Sequence, residues 1–318
     1  MSDQHHPATA RSVWIERFGD LDVLSIADRP IPQPVDDEVL VRVRAASINP
    51  VDWKTAAGEF PPKGADQLPF ILGRDLAGTI EAVGTRAHNM LSHGDRVMAH
   101  VGFDRGAQSE WVVVRAVELV GLPEGVDFTT GAGAGLVAMT AWQGLFDHGG
   151  LEAGKRVLIH GGAGGVGHLA VQLAKWKGAY VIATAGAGDL DFVRSLGADE
   201  VVDYQAQDFA EVARDMDLVF DTQGGETQAR SFATLKKGGC LVSTLQPDEA
   251  AAAAAGVRIA PRWMAEPNAA QLGEVADLIA AGTIRVEIAR TLPLTDAREA
   301  YRFARDEHPR GKVVLLLE

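Results

Sequence analysis

Residues 157–167 read Val-Leu-Ile-His-Gly-Gly-Ala-Gly-Gly-Val-Gly. The first four have the make-up of a short buried strand, and residues 167–174 have helical character, so the glycines fall in a tight strand-to-helix turn. Gly162, Gly164 and Gly167 satisfy G-x-G-x-x-G. The first is expected to let the chain turn sharply, the second to let a pyrophosphate approach the backbone, and the third to let helix and strand pack closely. The run Gly162, Ala163, Gly164, Gly165, Val166, Gly167 would then offer phosphates the unpaired N–H groups and positive end of the helix. A second apolar strand, residues 179–184, begins one helix length later. That context points to dinucleotide binding.

The elements that must carry this turn follow from pattern. Strands at 157–159, 180–184, 200–202, 218–221 and 240–244 alternate with helices ending near 177 and around 190–196, 209–212 and 228–235, which predicts a parallel sheet covered on both faces. Residues 269–281 place Leu272, Val275, Ala276 and Ile279 at helical spacing, a core-facing helix expected to close this nucleotide-binding region. Upstream, residues 12–118 read as strands and turns. Residues 39–45 alternate apolar and basic, 78–84 and 94–99 are bounded by glycine, and 109–114 is a fourth strand, together suggesting a barrel-like β domain. Residues 129–148 read as a helix. Its Gly131, Gly133 and Gly135 follow no strand, so they are expected to serve close packing. The alanine run at 250–255 reads as a helix turn or loop filler. The end of the chain, with a helix at 297–305 and a strand at 313–317, resembles the first region more than the second.

Composition sets limits. The 318 residues are 47% hydrophobic and 23% charged, as in an ordinary globular protein of two domains. A net charge of -13 argues against nucleic-acid or anionic-membrane partners. The single cysteine, Cys240, fits a reducing, cytoplasmic setting and excludes a thiolate cluster for structural zinc. No apolar run approaches the length of a spanning helix. Residues 1–10 look like a disordered tail in which His5 and His6 are incidental.

Residues 39–52 (VLVRVRAASINPVD), Gly73-Arg74-Asp75, Gly94-Asp95-Arg96-Val97, Thr140-Ala141-Trp142, the glycine turn, Leu196-Gly197-Ala198-Asp199, Asp203-Tyr204 and Gly311-Lys312-Val313-Val314 together resemble the medium-chain dehydrogenase/reductase superfamily. The match spans almost the whole chain in order and is most similar to the zinc-independent, quinone-oxidoreductase-like branch. The resemblance implies an α/β protein with a GroES-like β-barrel catalytic domain at residues 1–126, a Rossmann doubly wound parallel sheet at 127–283, and a return to the catalytic domain at 284–318. It also implies NADPH, a small-molecule substrate and a homodimer. Zinc-dependent relatives place cysteine in the stretch that here reads Ser47-Ile48-Asn49-Pro50, and histidine where this chain has Arg74. A guanidinium cannot ligate zinc. His88, His93 and His100 have no partners at metal-ligand spacing.

Reduction of an isolated ketone puts full charge on oxygen and calls for a Lewis acid or a placed proton donor, whereas a quinone or enone spreads that charge. The tyrosines are Tyr180, Tyr204 and Tyr301, none of them in the N-terminal β region. Quinones and α,β-unsaturated carbonyls therefore suit the inventory better. By resemblance the loop of Asn49, Asp52 and Lys54 faces the nicotinamide. Asn49 is expected to donate to substrate or ribose, Asp52 to act there or to pin the loop, and Lys54 to donate a proton or sit in solvent. Asp75 is expected to be structural support. The second strand ends Thr184-Ala185-Gly186, without the acid that NAD sites place there, which permits NADPH over NADH. Thr184 and Tyr204 are the candidate phosphate or adenosine contacts, with Arg194 a weaker one. Motif position adds Thr140, Gln223, Ser243, Leu245 and Lys312 as cofactor contacts. Two other readings remain open: a zinc-free, alcohol-dehydrogenase-like reductase of other carbonyls, and a nucleotide-binding redox sensor or structural protein with little turnover.

Overall fold

The computed structural model describes residues 7–59, 64–87 and 91–318. His5, His6 and His88 lie outside the described residues. The chain divides into two compact units, one of Met1–Leu136, Pro267–Ala280 and Ile288–Glu318, the other of Val137–Glu266 and Ala281–Glu287.

Among the described residues, the second unit holds six parallel strands in the order Glu200–Asp203, Tyr180–Ala185, Arg156–Ile159, Met216–Asp221, Leu235–Ser243, Arg258–Ile259. Counted along the chain this is 3-2-1-4-5-6, a doubly wound sheet whose strand order reverses beside Arg156–Ile159, the place where such sheets bind ligands. Leu158, Ile182, Val219 and Leu241 are buried in its core. The helix Gly167–Trp176 packs against Arg156–Ile159 and Tyr180–Ala185. It stops at Gly178, whose φ of +84° closes it in the left-handed conformation. Leu235, read as the end of a helix, instead begins a strand. The two-residue strand Arg258–Ile259 has no periodic signal in the sequence.

The first unit is built on Glu38–Ser47, a ten-residue strand with Val39, Val41 and Val43 fully buried. It pairs antiparallel with Asp75–Val83, Trp111–Arg115 and the near-terminal Lys312–Leu316, where Ser47 meets Val314. Beyond Ser47 the chain turns into the helix Pro50–Ala56, so the stretch expected to be a loop is helical from its second residue. Proline at the first helical position and a reciprocal Asn49–Asp52 capping box explain the start.

Three expectations are corrected. Thr9 and Ala10 are not tail: they open the strand Thr9–Ile15, paired with Pro30 and Arg29. The helix Ala269–Ala280 buries Leu272, Val275 and Ala276 as expected, but it belongs to the first unit and packs on Leu119–Gly121 rather than closing the nucleotide-binding unit. The helix read at 129–148 is α-helical only over Phe128–Trp142 and continues as a π-helical turn, Gln143–His148. Gly131 and Gly135 do serve packing. A Cβ on Gly135 would lie 2.3 Å from Asp75 Oδ1, so only glycine lets that carboxylate reach the helix backbone.

Candidate active site

In the first unit, strand pairing gathers a buried polar cluster. Asp75 accepts from Ser47 Oγ at 2.7 Å, from Asn49 Nδ2 at 2.8 Å and from the Leu136 amide, with His100 Nδ1 at 3.4 Å. Lys312 Nζ donates to the Ile48 carbonyl at 2.7 Å and to Asn49 Oδ1. Asp52 accepts from the Asn49 amide at 2.8 Å. All of these side chains are buried. Burial raises the Asp52 carboxyl to about 7, helped by the nearby charge of Asp75. Burial also works to raise Asp75, but the hydrogen bond from His100, the charges of Lys312 and His100, and the Ser47 hydroxyl together hold it below the ordinary carboxylate value. Burial lowers the Lys312 ammonium against the pull of Asp75 and Asp52. Below them, Tyr301 donates to Gln108 Oε1 at 2.7 Å, and Gln108 donates to the Ser47 carbonyl at 3.1 Å.

The cluster redefines several expected roles. Asn49 spends its side chain on Asp75 and Lys312, and Asp52 pins the helix start. Lys312, expected at phosphate or ribose oxygens, is buried and ties Lys312–Leu316 to the Asn49 turn. Lys54 lies half-buried on the helix, with no hydrogen bond or ion pair to its ammonium among the described residues.

In the second unit the glycine turn joins Arg156–Ile159 to Gly167–Trp176. The left-handed residue of the turn is Gly161, with φ +70°. Gly162 donates its amide to the Thr184 carbonyl at 2.8 Å. A Cβ on Gly167 would lie 2.0 Å from the Gly161 carbonyl oxygen, so what packs closely there is the turn against its own helix. A Cβ on Gly164 would meet only the Gly161 oxygen, at 3.4 Å, leaving open space beside the backbone. Gly164, Gly165 and Val166 are half-buried and Ala163 is buried. No side chain caps the helix start, so its first N–H groups suit an anion.

Thr184, expected at the phosphate or adenosine, is buried and turned inward. Its hydroxyl oxygen accepts from the Gly161 amide at 3.2 Å and lies 3.2 Å from His160 Nδ1. His160 Nε2 sits 2.8 Å from Ser231 Oγ, whose own proton goes to the Thr227 carbonyl. That chain is satisfied when His160 is neutral, donating from Nε2 and accepting from Thr184 at Nδ1. Burial lowers its pKa from 6.5 to about 4, and Arg230 adds to this against the opposing charge of Asp221. A neutral folded histidine costs stability wherever the unfolded chain binds the extra proton, that is, as pH falls from 6.5 towards 4. Denaturant unfolding should therefore show the wild type losing about 2–3 kcal/mol more than His160→Gln between pH 7 and pH 4.5. Equal losses would remove this histidine from the account.

Asp221, which sequence reasoning passed over, organises the loop after the fourth strand. It accepts from the Gln223 and Gly224 amides, both at 2.9 Å, from Gln228 Nε2 at 3.0 Å and from Ser243 Oγ at 2.9 Å. Ser243 is thus buried support and accepts in turn from the Leu245 amide at 3.1 Å. Gln223 is exposed beside the turn, its Nε2 2.7 Å from where a Gly161 Cβ would stand. Leu245 is partly exposed against Gly224. Tyr204 is 58% exposed, its ring 3.9 Å from a Cβ placed on Gly186 at the end of the second strand. Arg194 pairs with Asp191 on the surface at 2.6 Å. Thr140 lies on Phe128–Trp142. Among the described residues, no three His, Cys, Asp or Glu side chains are grouped to hold a metal, and no helix is long and apolar enough to cross a membrane.

The second unit holds a six-stranded sheet of this order, and the first a sheet that takes in Lys312–Leu316. The family model described as "Alcohol dehydrogenase GroES-like domain" matches residues 35–124, and that described as "Zinc-binding dehydrogenase" matches 196–315. The chain is 32% identical to the mouse (Mus musculus) NAD(P)H oxidoreductase RTN4IP1, mitochondrial, over 97% of its own length and 89% of the relative's. It is 33% identical to an Arabidopsis thaliana NADPH-dependent alkenal/one oxidoreductase, chloroplastic, over 95% and 78%. The solved quinone oxidoreductase of Coxiella burnetii superposes with a TM-score of 0.90 at 32% identity, covering 98% of this chain and all of that one. The chain belongs to the medium-chain dehydrogenase/reductase family, on its quinone-oxidoreductase-like branch. It is an oxidoreductase with a GroES-like unit and a Rossmann sheet.

Proposed function

We propose that this protein is an NADPH-dependent reductase of quinones or α,β-unsaturated carbonyl compounds that transfers hydride directly and without a metal. The observation that carries the reading is the cradle at residues 161–167: an uncapped helix start, free space at Gly164, and no carboxylate at the end of Tyr180–Ala185. The bound reduced nicotinamide would supply the hydride, and the chain supplies everything else. The turn amides suit a pyrophosphate. The exposed Tyr204 ring beside Gly186 suits an adenosine, and the carboxylate-free strand end leaves a 2′-phosphate unrepelled. The names of the relatives, an alkenal/one oxidoreductase and a quinone oxidoreductase, support the substrate class.

The donor set does not fit zinc. Asn49 and Arg74 stand where ligands would be needed, and a guanidinium repels a cation. Of the three residues expected to do chemistry, Lys54 has a side chain uncommitted among the described residues, so it is assigned the proton supply, with Asn49 and Asp52 as positioning residues. A cytoplasmic homodimer belongs to the same proposal, checked by fractionation and light scattering.

Following NADPH absorbance with a panel of quinones and enones tests the reading. Turnover of about 1–100 per second on at least one acceptor is expected, faster with NADPH than with NADH, and unchanged after prolonged chelation. Tight NADPH binding without turnover would favour a redox sensor, and activity lost to the chelator would overturn the metal-free mechanism.

A further inference from the structure

Arg74 precedes the strand Asp75–Val83 and is only 5% exposed, yet its Nε and Nη1 are buried without a hydrogen-bond acceptor. Arginine in an interior ordinarily spends its N–H groups on carboxylates or carbonyls, because an unpaired one forfeits its hydration for nothing. Four carboxylates act on this guanidinium through space: Asp52, Asp75, Asp104 and Glu118. Each is engaged elsewhere. Asp75 serves Ser47, Asn49 and Leu136, and Asp52 serves the Asn49 amide. Asp104 takes Arg105 and Arg115, while Glu118 takes Arg115 and the Gly102 amide. The guanidinium lies on the face of Phe103, its Cζ 3.5 Å from the ring centroid. Stacking fixes the plane and leaves the N–H groups, which point along its edges, free to donate. Although burial lowers its pKa to about 10, the group stays charged at neutral pH.

We propose that Arg74 is the oxyanion-binding residue of this enzyme, its unpaired N–H groups receiving the carbonyl oxygen of a conjugated ketone, aldehyde or quinone. The inference rests on the reductase reading above. As hydride bonds to the electrophilic carbon, the C=C pair moves to form the new double bond and the C=O pair moves onto oxygen. The result is an enolate or a hydroquinone anion, while the nicotinamide is oxidised by the same two electrons. Water or Lys54 then supplies the proton. A guanidinium holds a delocalised anion of this kind by charge and hydrogen bond without giving up its own proton. It serves an isolated ketone less well, because the localised alkoxide needs a proton outright. Arg74 therefore selects for conjugated acceptors.

A mimic of the product anion tests this without turnover. 4-Nitrophenol ionises near neutrality and reports its anion by colour. Wild-type protein is expected to bind the yellow anion in preference to the neutral phenol. Arg74→Gln should bind it at least about tenfold more weakly, with Arg74→Lys intermediate. Arg74→Gln gives up the Phe103 stacking and the charge facing four carboxylates but no hydrogen bond from Nε or Nη1, so it should stay folded and melt no lower than Lys312→Met. With any acceptor that the wild type reduces, Arg74→Gln should lose about 100-fold in kcat while KM for NADPH stays within about twofold. Equal binding of the anion by a folded Arg74→Gln, or no preference of the wild type for the anion, would overturn the assignment. If the wild type reduces no acceptor yet binds the anion through Arg74, the reductase reading fails and the subsite stands. If it reduces acceptors but Arg74→Gln binds the anion equally well, the subsite alone falls.

Discussion

Replacing Lys312 by methionine is expected to cost about 3–5 kcal/mol at pH 8, the penalty for stranding buried charge when one partner is removed. The ammonium is the donor to Ile48 and Asn49 and a positive charge acting on both Asp75 and Asp52. Methionine keeps much of the volume and none of the charge. The cost should depend on pH in a set direction. Asp52 is raised in the folded state from 3.8 to about 7, so its contribution to stability is fully present below 3.8 and is lost as pH rises through 7. Removing Lys312 pushes both carboxyls higher still, so the deficit should widen between pH 4 and pH 8 and narrow on acidification. Unfolding wild type and Lys312→Met in denaturant across that range reads it directly. A deficit independent of pH would mean that Lys312 acts by packing alone.

Two glycine substitutions three residues apart should fail in opposite ways. In Gly167→Ala the new methyl falls 2.0 Å from the Gly161 oxygen and 2.7 Å from its carbon, both backbone atoms that cannot swing aside. We expect at least about 2 kcal/mol of destabilisation, with nucleotide binding lost alongside. In Gly164→Ala the methyl has only the Gly161 oxygen near it, at an ordinary contact distance. Stability should stay within about 0.5 kcal/mol, while NADPH affinity falls because the methyl fills the space a pyrophosphate needs. Thermal melts paired with fluorescence titration separate the two. If Gly164→Ala binds NADPH like the wild type, the phosphate does not sit over that turn.

What could be read in advance was local. The alternation of apolar strands and helices after residue 156 is a short-range signal, and so is the glycine turn. What escaped depends on partners distant in sequence. Ser47, Asp75, His100 and Lys312 look like unrelated polar residues until Ala45–Ser47 pairs with Val314–Leu316 and Asp75 pairs with His100. The helical spacing of Ala269–Ala280 says which face is buried but not against which unit. Thr184 sits at a strand end where the pleat alone decides whether a hydroxyl points inward, and it points at His160. Thr9 and Ala10 looked like tail because their partners, Pro30 and Arg29, lie some twenty residues on.

The near-terminal strand has a bearing on how this molecule is made. Lys312–Leu316 pairs with Ala45–Ser47, the end of Glu38–Ser47 that Trp111–Arg115 leaves unpaired, so during synthesis that end waits for Lys312, 264 residues after Ile48, to be translated. Throughout that interval its backbone is open to pairing with a neighbouring nascent chain. A chain that stops before Lys312 would therefore be expected to aggregate, its Ala45–Ser47 backbone left without a partner.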